Sequence, residues 1–123
     1  MDSAGNVLVT TMQPGATIFE LSPTSTGWQE QTITTFPQNA PSPIDGIFMD
    51  SKGNIYGSTD TTLFQLSMTS GSYSLSTLAT FQGSNFPADP SGAVLIDAQG
   101  NLFGTADFGL GTAQNGAIWE ITP

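Results

Sequence analysis

An acidic, glycine-containing turn motif recurs three times in this chain, and the recurrence constrains the fold more than any other feature. DSAGN, DSKGN and DAQGN begin at residues 2, 50 and 97, spacings of 48 and 47. Each is followed by a matching apolar segment: GNVLVTT, GNIYGST and GNLFGTA. A second block follows in the same order, ATIFELSP (16–23), TLFQLSM (62–68) and AIWEITP (117–123). Upstream of the second and third pentapeptides stand PSPIDGIFM (41–49) and PSGAVLI (90–96), and further upstream ITTFP (33–37) and LATFQ (78–82). Several blocks in fixed order at a fixed spacing define an internal repeat of about 47 residues, which must be read before any single residue.

Each block has the character of a strand. Gly46 to Met49 and Gly92 to Ile96 form one set. Val7 to Thr11, Ile55 to Thr59 and Leu102 to Thr105 form the next. Ala16 to Leu21, Leu63 to Leu66 and Ala117 to Ile121 form a third, all short and rich in Ile, Leu, Val and Phe. The fourth set, Trp28 to Phe36 and Tyr73 to Phe81, alternates with period two, placing Tyr73, Leu75, Thr77 and Ala79 on one side and Ser74, Ser76, Leu78 and Thr80 on the other. No segment of ten residues carries helical spacing with caps. Four short strands per repeat predict an all-β chain of stacked, β-propeller-like blades. The expected chain has ten short antiparallel strands, about two and a half blades. They form one module over residues 1–123, with repeat units 2–49, 50–96 and an incomplete 97–123.

The pattern GN-[LIV]-[YF]-G-[TS], followed by an aromatic strand ending near E-[LI]-[ST]-P, resembles a bacterial family of tandem repeats. That family's motifs run D-x-x-G-N-L-Y-G-T and G-T-V-F-E-L. The likeness covers nearly the whole chain. It implies propeller-like repeats of about 47 residues in mostly secreted or surface proteins, and it implies no activity. The copies depart from the pattern between their second and third strands. The first has MQPGAT there, the second (DTTLFQLS, 60–67) lacks the glycine-rich insert, and the third keeps DFGLGTAQNGAIW (107–119).

Two and a half blades cannot close a ring, and open sheet faces and edges invite association. The expected partner is therefore a second copy: a homo-oligomer, either a dimer forming a six-bladed ring or an open polymer. On this reading the chain is a non-enzymatic structural or self-assembling propeller module. A lectin-like propeller binding carbohydrate or another small ligand is the alternative. A glycoside hydrolase acting through Glu20 and Glu120 is the remote one.

Composition removes other classes. The chain has no Cys and no His, so thiol chemistry, an imidazole-ligated metal and a Ser-His-Asp arrangement are excluded. One basic residue, Lys52, stands against ten acidic ones, for a net charge of -9. That argues against nucleic acid and against docking on an anionic membrane, and no apolar run is long enough to insert. No cofactor or metal is expected, and a glycan is the candidate small-molecule partner. MDSAGN carries no leader-like segment. Polarity supplied by 13 Ser and 17 Thr rather than by charge points, with the resemblance, to an extracellular or cell-surface location.

The repeated pentapeptides are read as turns. Asp2, Asp50 and Asp97 accept from backbone N–H groups, Gly5, Gly53 and Gly100 take the left-handed position, and Asn6, Asn54 and Asn101 satisfy backbone groups of the next strand. A calcium loop needs more oxygens than one carboxylate per turn supplies. Candidate ligand-binding residues are the aromatics expected near strand starts, Trp28 and Tyr73, and the aromatic and acidic residues expected in the longer loops, Phe86, Asp89, Asp107 and Phe108. No catalytic residue is assigned.

Overall fold

A computed structural model describes residues 4–12, 15–38, 43, 46–82, 88–109 and 115–122. The chain is all-β and divides into two compact units, residues 1–43 and 44–123. The first unit holds one antiparallel sheet of β1 (Val7–Thr10), β2 (Thr17–Thr24) and β3 (Gly27–Thr35), in that order. The second holds two. One is the meander β4 (Phe48–Met49), β5 (Ile55–Ser58), β6 (Thr62–Thr69) and β7 (Ser72–Thr80). The other runs β8 (Ala88–Ile96), β9 (Leu102–Phe108) and β10 (Ala117–Ile121).

The propeller expectation drawn from four strands per repeat, and the family resemblance that agreed with it, are corrected here. Among the described residues the strands form three separate open sheets, and none is closed or curled. The repeat predicts which residues form strands, because alternation and turn chemistry are local. Propeller closure depends on how whole sheets meet, and no short pattern encodes that. The ring or filament of blades, and the structural function built on it, fall with the propeller.

Within the sheets the repeated glycine has a steric role. Gly57 lies opposite Phe64 and Gly104 opposite Trp119 in register. A Cβ at Gly57 would stand 2.6 Å from Phe64 Cζ, so each ring lies over the bare backbone of the neighbouring strand. The first sheet has Val9 opposite Phe19 instead.

Strand alternation fails at one repeated place. Between Leu63 and Phe64 the pairing with β7 slips by one residue, so Leu63 faces Ala79 while Phe64 faces Thr77. The same slip occurs between Ile18 and Phe19. The unmatched residue in β7 is Leu78, and this bulge moves Ala79 from the Thr77 side to the Leu63 side. There Ala79 packs against the core of the second unit. That core is Tyr56, Leu63, Phe81, Val94, Leu102, Ala106 and Trp119, where the Tyr56–Leu63 face of the β4–β7 sheet meets the Leu102–Trp119 face of the β8–β10 sheet. Phe81 and Trp119 pack with ring centroids 5.3 Å apart. A larger bulge between Ser91 and Leu95 sends Val94 into the same core, where it is fully buried.

Candidate interaction site

The Asp50 turn is closed by its own atoms. The Gly53 N–H donates to the Asp50 carbonyl (3.1 Å), and Gly53 takes a left-handed φ of 84°. Asp50 Oδ1 accepts from the backbone N–H groups of Lys52 (2.9 Å) and Asn54 (2.8 Å), while Oδ2 accepts from Asn54 Nδ2 (2.9 Å) and the Tyr56 hydroxyl (3.3 Å). Asn54 Oδ1 accepts from the Met68 N–H (3.1 Å), tying the turn to the end of β6. Asp97 repeats the arrangement with Gln99 and Asn101, at 2.8 to 2.9 Å. Gly5 likewise takes a positive φ, and Asn6 follows it just before β1. Asp2 lies outside the described residues.

Burial pushes the Asp50 carboxyl upward. The Asn54 side chain, the Asn54 and Lys52 backbone N–H groups and the Tyr56 hydroxyl outweigh it and hold the group below its ordinary value. At Asp97 desolvation is likewise outweighed by the Asn101 side chain and by the backbone N–H groups of Asn101, Gln99 and Gly100. Tyr56 is raised by burial and by the Asp50 charge. The carboxylates of both turns are thus committed to the turns. Among the described residues no group of three or more acidic side chains could hold a metal ion.

The sequence-derived ligand candidates are scattered. Trp28 is exposed on β3 in the first unit, and Tyr73 is half-buried on β7. Asp89, Asp107 and Phe108 were expected in loops but belong to β8 and β9, because those strands run further than the apolar cores of their segments suggest. They share one end of the third sheet, where Asp107 Oδ1 accepts from Ser91 Oγ at 2.7 Å. Phe86 lies outside the described residues. Glu20 lies on β2 and Glu120 on β10, in different units, and no catalytic acidic cluster forms among the described residues. The lectin-like and hydrolase readings therefore fall too. A shallow cleft of about 270 Å³ separates the two sheets of the second unit, lined by Tyr56, Gln65, Leu78, Gly100, Leu102, Ile121 and Thr122. The Gln65 amide donates to the Tyr56 hydroxyl at its wall (2.9 Å).

A different surface stands out when repeat positions are compared. Phe48, Tyr56, Leu63 and Gln65 occupy the same positions in their repeat as Leu95, Phe103, Ile118 and Glu120 do in theirs. In the β4–β7 sheet that face is covered by the next sheet, and Leu63 is 0% exposed. In the β8–β10 sheet it points outward, leaving Ile118 82% and Leu95 62% exposed. The covered position holds the uncharged Gln65 and the open one the exposed Glu120. Neither Leu95 nor Ile118 stands out in the sequence by residue type. No sequence signal finds them, since Glu20 holds the Glu120 position in the first repeat while Ile18, the counterpart of Ile118, is fully buried.

No protein-family model, no curated protein and no solved structure matches this chain.

Proposed function

We propose that this chain is a non-catalytic recognition domain that binds another protein through the outward face of its third sheet. The observation that carries this reading is the contrast between Leu63, fully covered, and Ile118, largely exposed, at one repeat position. Apolar side chains grouped on an open sheet face mark an interaction surface. The face carries Leu95, Phe103 and Ile118 beside Glu120 and Asp107, so its partner presents apolar residues together with a cation. The chain's own charge of -9 favours a basic partner.

The test is quantitative capture from a source proteome by the wild-type chain and by a Leu95→Lys, Ile118→Lys variant, followed by titration of each captured protein in purified form. Both residues are exposed, so the variant keeps the wild-type melting temperature. At least one basic protein is expected to bind the wild type at least tenfold more tightly than the variant. Identical binding to both chains overturns the proposal.

A further inference from the structure

The asparagines of the second unit fall into two environments. Asn54 and Asn101 are locked in the repeated turns, where their side-chain amides donate to Asp50 and Asp97 at 2.9 and 2.8 Å. Their main-chain carbonyls accept from the Asp50 and Asp97 N–H groups at 2.9 and 3.0 Å. Each is followed by a buried, bulky residue that opens a strand, Ile55 or Leu102. Asn115 is exposed, and it is the one asparagine in the sequence followed by glycine. Gly116 takes a left-handed φ of 69° and has no side chain to hinder approach to its nitrogen. The β10–β9 ladder begins at Ala117, so that nitrogen lies just outside it.

We infer that Asn115–Gly116 is a self-modification site, where the asparagine passes through a cyclic imide to aspartate and isoaspartate. Hydroxide takes the Gly116 N–H proton, and the nitrogen attacks Asn115 Cγ. The Cγ–N bond forms and the Cγ–Nδ2 bond breaks. Nδ2 leaves as ammonia with a proton from water, which restores the hydroxide. A second water opens the five-membered imide. Opening at Cγ restores the normal backbone and leaves aspartate. Opening at the Asn115 main-chain carbonyl leaves the chain running through Cβ and Cγ as isoaspartate. No oxidant or reductant is consumed. Either product carries a new carboxylate, one unit of charge beyond the chain's -9.

The two products act differently on the sheet. Isoaspartate inserts an extra backbone atom shortly before Ala117, which pairs with Ala106. There is little slack at that point. A Cβ on Gly116 would lie 3.2 Å from the Ala106 carbonyl oxygen and 3.8 Å from that of Asp107. The first rungs of β10 therefore loosen in the isoaspartate form. Trp119, whose indole donates to the Thr105 carbonyl, stays in place. Aspartate adds charge alone. The chemistry needs no partner and does not depend on the recognition reading.

The test incubates the folded full chain at neutral and mildly alkaline pH. Peptide mapping by mass spectrometry follows the gain of about 1 Da at each asparagine. Asn115 should convert at least tenfold faster than Asn54 and Asn101, at a rate that rises with hydroxide, and isoaspartate should form beside aspartate. Amide hydrogen exchange at Ala117 and Ile118 should speed several-fold in the isolated isoaspartate form. It should not change in Asn115→Asp, which carries the charge on a normal backbone. Equal rates at the three asparagines, or conversion of Asn115 only after unfolding in urea, would overturn the site. Aspartate without isoaspartate, or unchanged exchange at Ala117, would overturn its effect on β10.

Discussion

Replacing Gly104 by alanine tests whether the glycine of the repeated motif is there to admit a ring. A Cβ at this position would stand 2.6 Å from Trp119 Cε2 and 2.8 Å from Cη2, and closer still to Cζ2. Carbon atoms in contact prefer about 3.5–4.0 Å, so the indole must shift by about an ångström. It has little freedom to do so. Its Nε1–H donates to the Thr105 carbonyl at 2.8 Å, and its other side packs on Phe81. Overpacking of this kind costs about 1–3 kcal/mol. Loss or weakening of the indole hydrogen bond adds about 1 kcal/mol. Removing a glycine from a strand returns about 0.5–1 kcal/mol. The net destabilisation is about 2 kcal/mol, which lowers a urea midpoint by about 1 M at a slope of about 2 kcal/mol/M. Trp119 emission reports the transition in a Trp28→Phe background, where the exposed Trp28 no longer contributes. Adding Trp119→Leu to Gly104→Ala and following circular dichroism should show a combined cost below the sum of the two. An unchanged or raised midpoint for Gly104→Ala would refute the steric account.

Two further outcomes follow from the turns and the core. The folded Asp50 and Asp97 carboxyls lie below their ordinary values, so their contribution is complete above about pH 4 and is lost as pH falls further through the folded values. Asp50→Asn should cost about 1–2 kcal/mol at pH 7 by losing charge-assisted hydrogen bonds, and its urea midpoint should fall less steeply than wild type below pH 4; parallel profiles would dismiss the turn as the origin. Ser58 Oγ is buried with no partner among the described residues. Ser58→Ala should therefore raise stability by about 1 kcal/mol, read as a higher urea midpoint, and a drop would show that the hydroxyl is satisfied in solution.

The strands were legible because their signals are local. The period-two segments correspond to β3 and β7, and the apolar strands after the Asp-x-x-Gly-Asn turns to β1, β5 and β9. What was not legible depends on departures from regularity or on tertiary contact. Ala79 changes sides through a bulge at Leu78, and no residue type there announces it. β8 and β9 extend to Asp89 and Phe108 through pairing that compensates for glycine, proline and aspartate in those segments. Leu63 and Ile118 look alike as sequence, and only the placement of a covering sheet separates them. The relation of one sheet to the next, on which the propeller expectation rested, has no counterpart in a five-residue motif.

Every hydrogen-bond partner of the Asp50 carboxylate lies within six residues of it. The carboxylate that sets the bend is therefore satisfied within the hairpin itself, and only Asn54 and Tyr56 reach out to β6. A segment of this kind can be duplicated without redesign, since each copy brings its corner with it. Freed from setting the bend, the strand faces can diverge between copies. One copy keeps a glutamine under cover where another displays a glutamate to solvent. Redundancy in the corners is what lets a short, repetitive chain present one face unlike the rest.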